Sequence, residues 1–273
     1  MNDFDLARAD HAYMFAFLQA DGHLSQGTRN RGRISVELSA RDAPILEAFQ
    51  RICPHHSSIR FRTRSTNFAS EHSSVIWRVH AREFREQLQA LGLPAGRKSR
   101  FVAPPAGPFS ARDYLRGLID ADGSVGRTGQ HLPFVSLTTD SDPLMQFFCH
   151  YAECLTGTRR TVNRNARDGI YNILFTREEA VALARELYYP GCLALPRKLA
   201  AAATAASWVR PPDMRKAGPR RSWTGEEDRI LLGAVDPADA AERLGRSVKS
   251  CAIRKWRLVG PRKAHRRFPD TCS

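Results

Sequence analysis

The stretch Leu115-Arg116-Gly117-Leu118-Ile119-Asp120-Ala121-Asp122-Gly123 decides the fold, because Met14-Phe15-Ala16-Phe17-Leu18-Gln19-Ala20-Asp21-Gly22 is a second copy of its pattern. Each reads as an apolar helix that closes on Ala-Asp-Gly, and Asp21 and Asp122 are 101 residues apart. Other features keep nearly the same step. Arg97-Lys98 matches Arg197-Lys198, and Ala43-Pro44-Ile45-Leu46 aligns with Asp142-Pro143-Leu144-Met145. Self-similarity sustained over most of a repeat length indicates a duplicated domain. Each repeat is expected to run helix, two strands, helix, two strands, helix, an α+β class with two αββαββα halves. The first helix is expected to begin after Asp10 and its duplicate after Ser110, where Ser110 and Asp113 fit a capping box. Gly22 and Gly123 are expected to end these helices in the left-handed conformation.

Strand patterning carries a charge signal. Arg29, Arg31 and Arg33 alternate into Ile34, Val36 and Leu38, while Arg60, Arg62 and Arg64 alternate with Phe61 and Thr63. Period two places each trio on one sheet face. A solvated face mixes charge signs, so an arginine ridge points to phosphates and guanine edges. The second repeat offers residues 132–139, 159–164 and 170–175 as strands, with Arg160 and Arg164 among Thr, Asn and Ser.

Composition narrows the class. The chain has 273 residues, with 42 Lys+Arg against 28 Asp+Glu, a formal net charge of +14. Such a charge suits a polyanionic partner. No run of about 18 apolar residues exists, so no membrane span is expected. The start of the chain lacks the basic-then-apolar order of a signal peptide, and the six cysteines form no CxxC pair; a reduced, cytoplasmic protein that joins the nucleoid on DNA is expected. Cys53 with His55-His56, and Cys149-His150 with Cys154, lack the spacing of a structural zinc site. No Walker-type phosphate loop is present.

Asp21 and Asp122 each fall in the last turn of an apolar helix, where the helix dipole already places negative charge. Two such helices side by side, touching through Ala16 and Gly117, would bring both carboxylates together and call for a cation. Hard divalent ions such as Mg²⁺ take carboxylate, carbonyl and water oxygens, and carboxylates sharing such ions activate water on phosphodiesters.

Residues 115–123 match eight of nine letters of the motif that names the LAGLIDADG homing endonucleases, and residues 14–22 are a divergent copy. Over residues 1–207 the chain resembles the single-chain members of that family, with repeats at 1–104 and 105–207. The resemblance implies a pseudo-twofold saddle over double-stranded DNA with a long specific target, a monomer, and Mg²⁺ or another divalent cation such as Mn²⁺. It implies Asp21 and Asp122 as metal-binding acids and Ala20 and Ala121 as carbonyl ligands. It also implies Lys98 and Lys198 at the scissile phosphates, with Asp42 and Ser141 or Asp142 ordering water. Gln19 replaces the sixth-position acid, which is not the family's metal ligand. The absence of a terminal His-Asn is expected of a freestanding protein, not an intein. The implied activity is double-strand cleavage; the competing readings are a non-catalytic DNA-binding regulator and an intron RNA maturase.

The remainder is a separate basic unit. Residues 208–220 hold three prolines and a glycine among basic residues and read as a tether. Residues 221–260 read as three helices, the last over residues 248–258 with Ser247 as N-cap. Val248, Ala252 and Trp256 are expected to face a core, leaving Lys249, Arg254, Lys255 and Arg257 outside. The order matches a helix-turn-helix, and Trp223-Thr224-Gly225-Glu226-Glu227-Asp228 resembles the opening of Myb/SANT-like domains. Such domains bind DNA or protein; the charge favours DNA. Residues 261–273 read as a basic tail.

Overall fold

The computed structural model describes residues 4–25, 27–28, 31–66, 69–96, 99–214 and 221–260. The chain divides into two compact units, Met1–Pro211 and Pro212–Ser273.

In the first repeat α1 (Ala9–Ala20), β1 (His23–Ser25), β2 (Arg33–Ser39), α2 (Ala43–Ile52), β3 (Ser57–Thr66), β4 (Ala69–Val79) and α3 (Arg82–Ala90) follow the expected order. The strands form an antiparallel sheet in the order β1-β2-β4-β3. The second repeat has α4 (Ala111–Asp122), β5 (Gly123–Arg127), β6 (Pro133–Thr139), α5 (Asp142–Thr156), β7 (Tyr171–Thr176), α6 (Glu178–Leu187) and α7 (Pro196–Ala206). Its sheet has three strands, β5-β6-β7. The strand expected over residues 159–164 is not formed. Side chains meet β7 there instead: Arg160 donates to the Leu174 carbonyl at 2.6 Å and to Glu179 at 2.8 Å. A tight loop follows, with the Asn165 amide on the Ile170 carbonyl at 3.0 Å and Gly169 at φ +71°.

α1 begins one residue before Asp10, and its residues from His11 to Gln19 are buried on every side. A helix apolar all round belongs inside a core. Phe17 meets Phe49 of α2 edge-on at 5.5 Å, and Phe49 meets Trp77 of β4 at 6.2 Å. Its other side lies against α4. A Cβ on Gly117 would stand 2.4 Å from the Tyr13 carbonyl oxygen and 2.8 Å from the Ala16 Cβ. The two helices therefore cross at equivalent positions, Ala16 and Gly117, as closely as small residues permit.

Two local expectations are corrected. Gly123 has φ −110°, and neither it nor Gly22 is left-handed. Both are required by close approach: a Cβ would stand 2.4 Å from the Leu18 carbonyl at Gly22, and 2.4 Å from the Ser136 carbonyl at Gly123. Ser110 makes no side-chain cap. Its hydroxyl donates to Asp113 at 2.5 Å, and Asp113 pairs with the buried Arg116 at 2.6 Å.

The second unit holds α8 (Gly225–Gly233), α9 (Pro237–Leu244) and α10 (Val248–Val259) around Leu231, Leu244 and Cys251. Thr224 and Glu227 form a reciprocal capping box at α8. Arg246 and Arg221 grip Glu227, and hydrogen bonding from Arg246 draws its carboxyl down to about 2. The same Arg246 lies over the Trp223 ring at 4.1 Å. Gly245 takes φ +59° between α9 and α10, and Ser247 caps α10 as expected. The face of α10 is the reverse of the expected one: Val248 is 52% exposed and Trp256 64% exposed, while Cys251 faces the core. The four-residue spacing was shared by two stripes, and three short helices bury only one of them.

Candidate functional site

The crossing at Ala16 and Gly117 is flanked by a reciprocal pair of tyrosines. Tyr13 of α1 donates to Asp120 of α4 at 2.6 Å, and Tyr114 of α4 donates to Gln19 of α1 at 2.5 Å. Beyond that likeness the two sixth positions have opposite surroundings. Asp120 accepts two more bonds, from Tyr188 at 2.7 Å and the Leu195 amide at 2.7 Å. Burial pushes its pKa up, against those three donors. Gln19 instead donates to the Gly92 and Ala103 carbonyls at 2.9 and 3.1 Å. A carboxylate can only accept, whereas an amide both donates and accepts. The departure from the motif is thus a local match to two carbonyls.

Asp21 and Asp122 lie at the C-terminal ends of these helices, and both are exposed. A groove of about 220 Å³ is bordered by Gln19 and Ala20 from α1, by Asp122, and by Ser99, Thr138 and Asp140. The groove therefore draws on both motif helices and both repeats. Lys198 of α7 is buried and donates to the carbonyls of Ile119, Asp120 and Gly123 at the end of α4, at 2.7, 2.7 and 2.8 Å. Burial pushes its pKa down to about 8, while the charges of Asp120, Asp21 and Asp42 pull it up. Where a phosphate contact was expected, three ammonium protons are met by three carbonyl oxygens, and Lys198 secures the end of α4. Its counterpart Lys98 lies outside the described residues.

Asp42, at the start of α2, is buried and receives Arg197 in a bidentate pair at 3.1–3.3 Å. That pair joins the first repeat to the second, and the sequence reading missed it although Arg197 adjoins Lys198. Ser141 is fully buried; its hydroxyl donates to the Val102 carbonyl at 2.5 Å and accepts the Leu144 amide at 3.1 Å. Both of its bonds hold the fold, so it is not placed to order water at the groove.

Of the expected oxygen donors, Asp122 and Ala20 border the groove, while Asp21 and Ala121 are not among its lining residues; Lys198 engages the carbonyls of Ile119, Asp120 and Gly123 and leaves that of Ala121 aside. Among the described residues no three His, Cys, Asp or Glu side chains converge as a closed metal cage. Few protein carboxylates with the balance from water or substrate oxygens is the donor set that suits Mg²⁺.

The strand registers place Arg33, Arg60, Arg62, Arg64 and Arg78 on one face of the first sheet. Arg78 was not anticipated, although Ser74, Ile76 and Arg78 alternate like the other strands. Arg31 is exposed just ahead of β2. Arg64 pairs with Glu37 at 2.9 Å. Arg29 lies outside the described residues. In the second repeat, where DNA contacts were expected of Arg160 and Arg164, Arg160 is held by Leu174 and Glu179, and Arg164 by Asp140 at 2.5 Å and Asp142 at 3.1 Å. In the second unit Arg254 pairs with Asp228 and Lys255 reaches the Ala234 carbonyl, while Lys249 and Arg257 are exposed. No described helix is long and apolar enough to cross a membrane.

Residues 110–188, within the second repeat, match the family model of the LAGLIDADG-like domain. No curated protein matches the chain. Among solved structures, the homing endonuclease I-WcaI bound to its DNA recognition sequence is similar at 10% identity, over 71% of this chain and 87% of that one, with a TM-score of 0.49. The LAGLIDADG homing endonuclease I-SmaMI bound to cleaved DNA is similar at 12% identity, over 64% and 82%, with a TM-score of 0.44. I-SmaMI bound to uncleaved target with calcium ions is similar at 12% identity, over 64% and 84%, with a TM-score of 0.41.

Proposed function

We propose that the protein is a site-specific, double-strand DNA endonuclease of the LAGLIDADG homing type, acting as a monomer. The observation that carries this is the duplicated crossing at Ala16 and Gly117, which delivers the ends of both motif helices to one groove. Asp21 and Asp122, with the Ala20 and Ala121 carbonyls, would hold divalent cations, Mg²⁺ or Mn²⁺. Bound there, a divalent ion supplies Lewis-acid activation of water and shields the phosphate charge. The chain's own residues do the rest. Lys198 fixes the end of α4, and so the aim of the Asp122 carboxylate. Arg197 and Asp42 lock the first repeat against the second beside it. The arginine face of the first sheet and the Ser, Thr and Asn face of the second bind the duplex, and the second unit, a helix-turn-helix of Myb/SANT type, adds affinity through α10.

A non-catalytic DNA binder is the second reading, favoured by the engagement of Lys198 and Asp42 within the fold. Purified protein with Mg²⁺ and DNA spanning the empty insertion site of its gene separates the two. Double-strand breaks that vanish in Asp122→Asn, with binding kept, support the enzyme. Binding without breaks in the wild type supports the regulator.

A further inference from the structure

The two sheet faces differ in kind. The first carries five arginines and one glutamate, Glu37. The side chains of Arg33, Arg60 and Arg62 are exposed and make no hydrogen bond or ion pair among the described residues. Arg78 on the same face has a buried Nε–H without a partner among the described residues. A buried unsatisfied donor is destabilising, and a phosphate oxygen would relieve it. β3 also reaches past the core, since Phe61 is 65% exposed on the opposite side of the strand.

The equivalent face of the second sheet holds Ser124, Ser136, Thr138 and Asn172, with Phe134 and Leu174 between them, and no lysine or arginine. Three arginines near it are engaged within the fold: Arg127 donates to the Thr204 carbonyl at 2.8 Å, and Arg160 and Arg164 hold acids of their own repeat, while Arg159 is exposed. Thr138 and Asn172 are cross-strand neighbours and both exposed. Short hydroxyl and amide groups beside apolar side chains suit base edges and thymine methyls, not phosphates.

We propose that the repeats divide the labour of DNA recognition: the first sheet anchors its half of the duplex through backbone phosphates, and the second reads bases in its half. The division rests on the DNA-binding reading above. Between the two repeats, it assigns the salt dependence to the first, because phosphate neutralisation is what releases counterions. It also gives the first repeat the tighter hold on any duplex, whatever its sequence.

The test is the salt dependence of full-length protein on a fluorescent 30-base-pair mixed-sequence duplex, read by anisotropy in Ca²⁺ buffer. Removing one arginine–phosphate pair flattens the slope of log K against log salt by about 0.9. Arg60→Gln/Arg62→Gln is expected to flatten it by about 1.8, and Thr138→Ala/Asn172→Ala to leave it within error. Selection from a randomised duplex library then reads specificity. The second variant is expected to relax base preference on one side of the recovered target only, and the first to leave preference intact. Equal flattening by both variants, or relaxation by the arginine variant alone, overturns the division while leaving DNA binding in place. Wild-type protein that binds no duplex at low salt overturns the DNA reading itself, and the division with it.

Discussion

Gly117→Ala tests the crossing on which the site depends. The added methyl would meet the Tyr13 carbonyl oxygen at 2.4 Å and the Ala16 Cβ at 2.8 Å. Ordinary separation between such atoms is about 3.5 Å, so α1 and α4 must part by roughly 1 Å. Neither neighbour is the flexible end of a side chain; one is backbone and the other a Cβ. Overpacking of this kind costs about 1–3 kcal/mol, set against a gain of up to about 1 kcal/mol from replacing a helical glycine. A net loss of about 1–2 kcal/mol lowers the melting temperature by roughly 2–8 °C for a unit of this size. The functional loss should be larger, because a 1 Å misplacement of catalytic groups costs on the order of 100-fold in rate. Thermal melting and single-turnover cleavage in Mg²⁺ measure the two effects together. Adding Ala16→Gly relieves the clash with the Ala16 Cβ and leaves the clash with the carbonyl, so the double variant should recover part of both. Single-variant melting and cleavage equal to wild type would refute the close crossing and the alignment of the two acids built on it.

Restoring the motif letter by Gln19→Asp should harm the protein. It removes both donors to the Gly92 and Ala103 carbonyls and buries an acid beside them, a loss of about 2–4 kcal/mol measurable by urea unfolding. Lys198 holds its proton in the folded state only up to about pH 8, whereas an unfolded lysine does so to about 10.4. Between those values the unfolded chain binds more protons, so stability should rise by about 2 kcal/mol from pH 8 to pH 10. Lys198→Met should lose that rise, and parallel curves for the two proteins would contradict it. Trp256→Ala should change the unfolding of the second unit by no more than about 0.5 kcal/mol, because the ring is largely in solvent; its effect should fall on DNA affinity, read by anisotropy.

The duplication was legible because the motif helices are constrained along their whole length: every residue from Tyr13 to Leu18 is buried, so few letters could drift. The arginine trios were legible because strand periodicity survives any local change of partner. What failed were features set by tertiary partners. Residues 159–164 alternate like a strand, but Arg160 reaches the β7 carbonyl that a strand would have used. Gly22 and Gly123 end helices as glycines often do, yet their reason is a carbonyl 2.4 Å from the missing Cβ. In α10 two stripes share one spacing, and only the position of Leu231 and Leu244 decides that Cys251, not Trp256, turns inward. At the site, sequence marked the acids but not the fate of the cations, since nothing local says that Lys198 will close on three carbonyls or that Arg197 will cross to Asp42.

Those cations show where symmetry was kept and where it was let go. The crossing residues and the two tyrosines keep step because they set the distance between helices, and any change there moves both ends at once. The sixth positions diverged because each answers a different set of neighbours: three donors surround Asp120, and two acceptors and one donor surround Gln19. The sheets diverged further still, since an outer face answers only to what it binds. A fused pair of repeats has no need for identical faces, because its two halves never exchange places. A symmetric dimer must present the same face twice. The divergence between an arginine face and a neutral polar face is therefore what a single chain permits, as the proposed reading of an asymmetric duplex requires, while the buried crossing is what that chain must preserve.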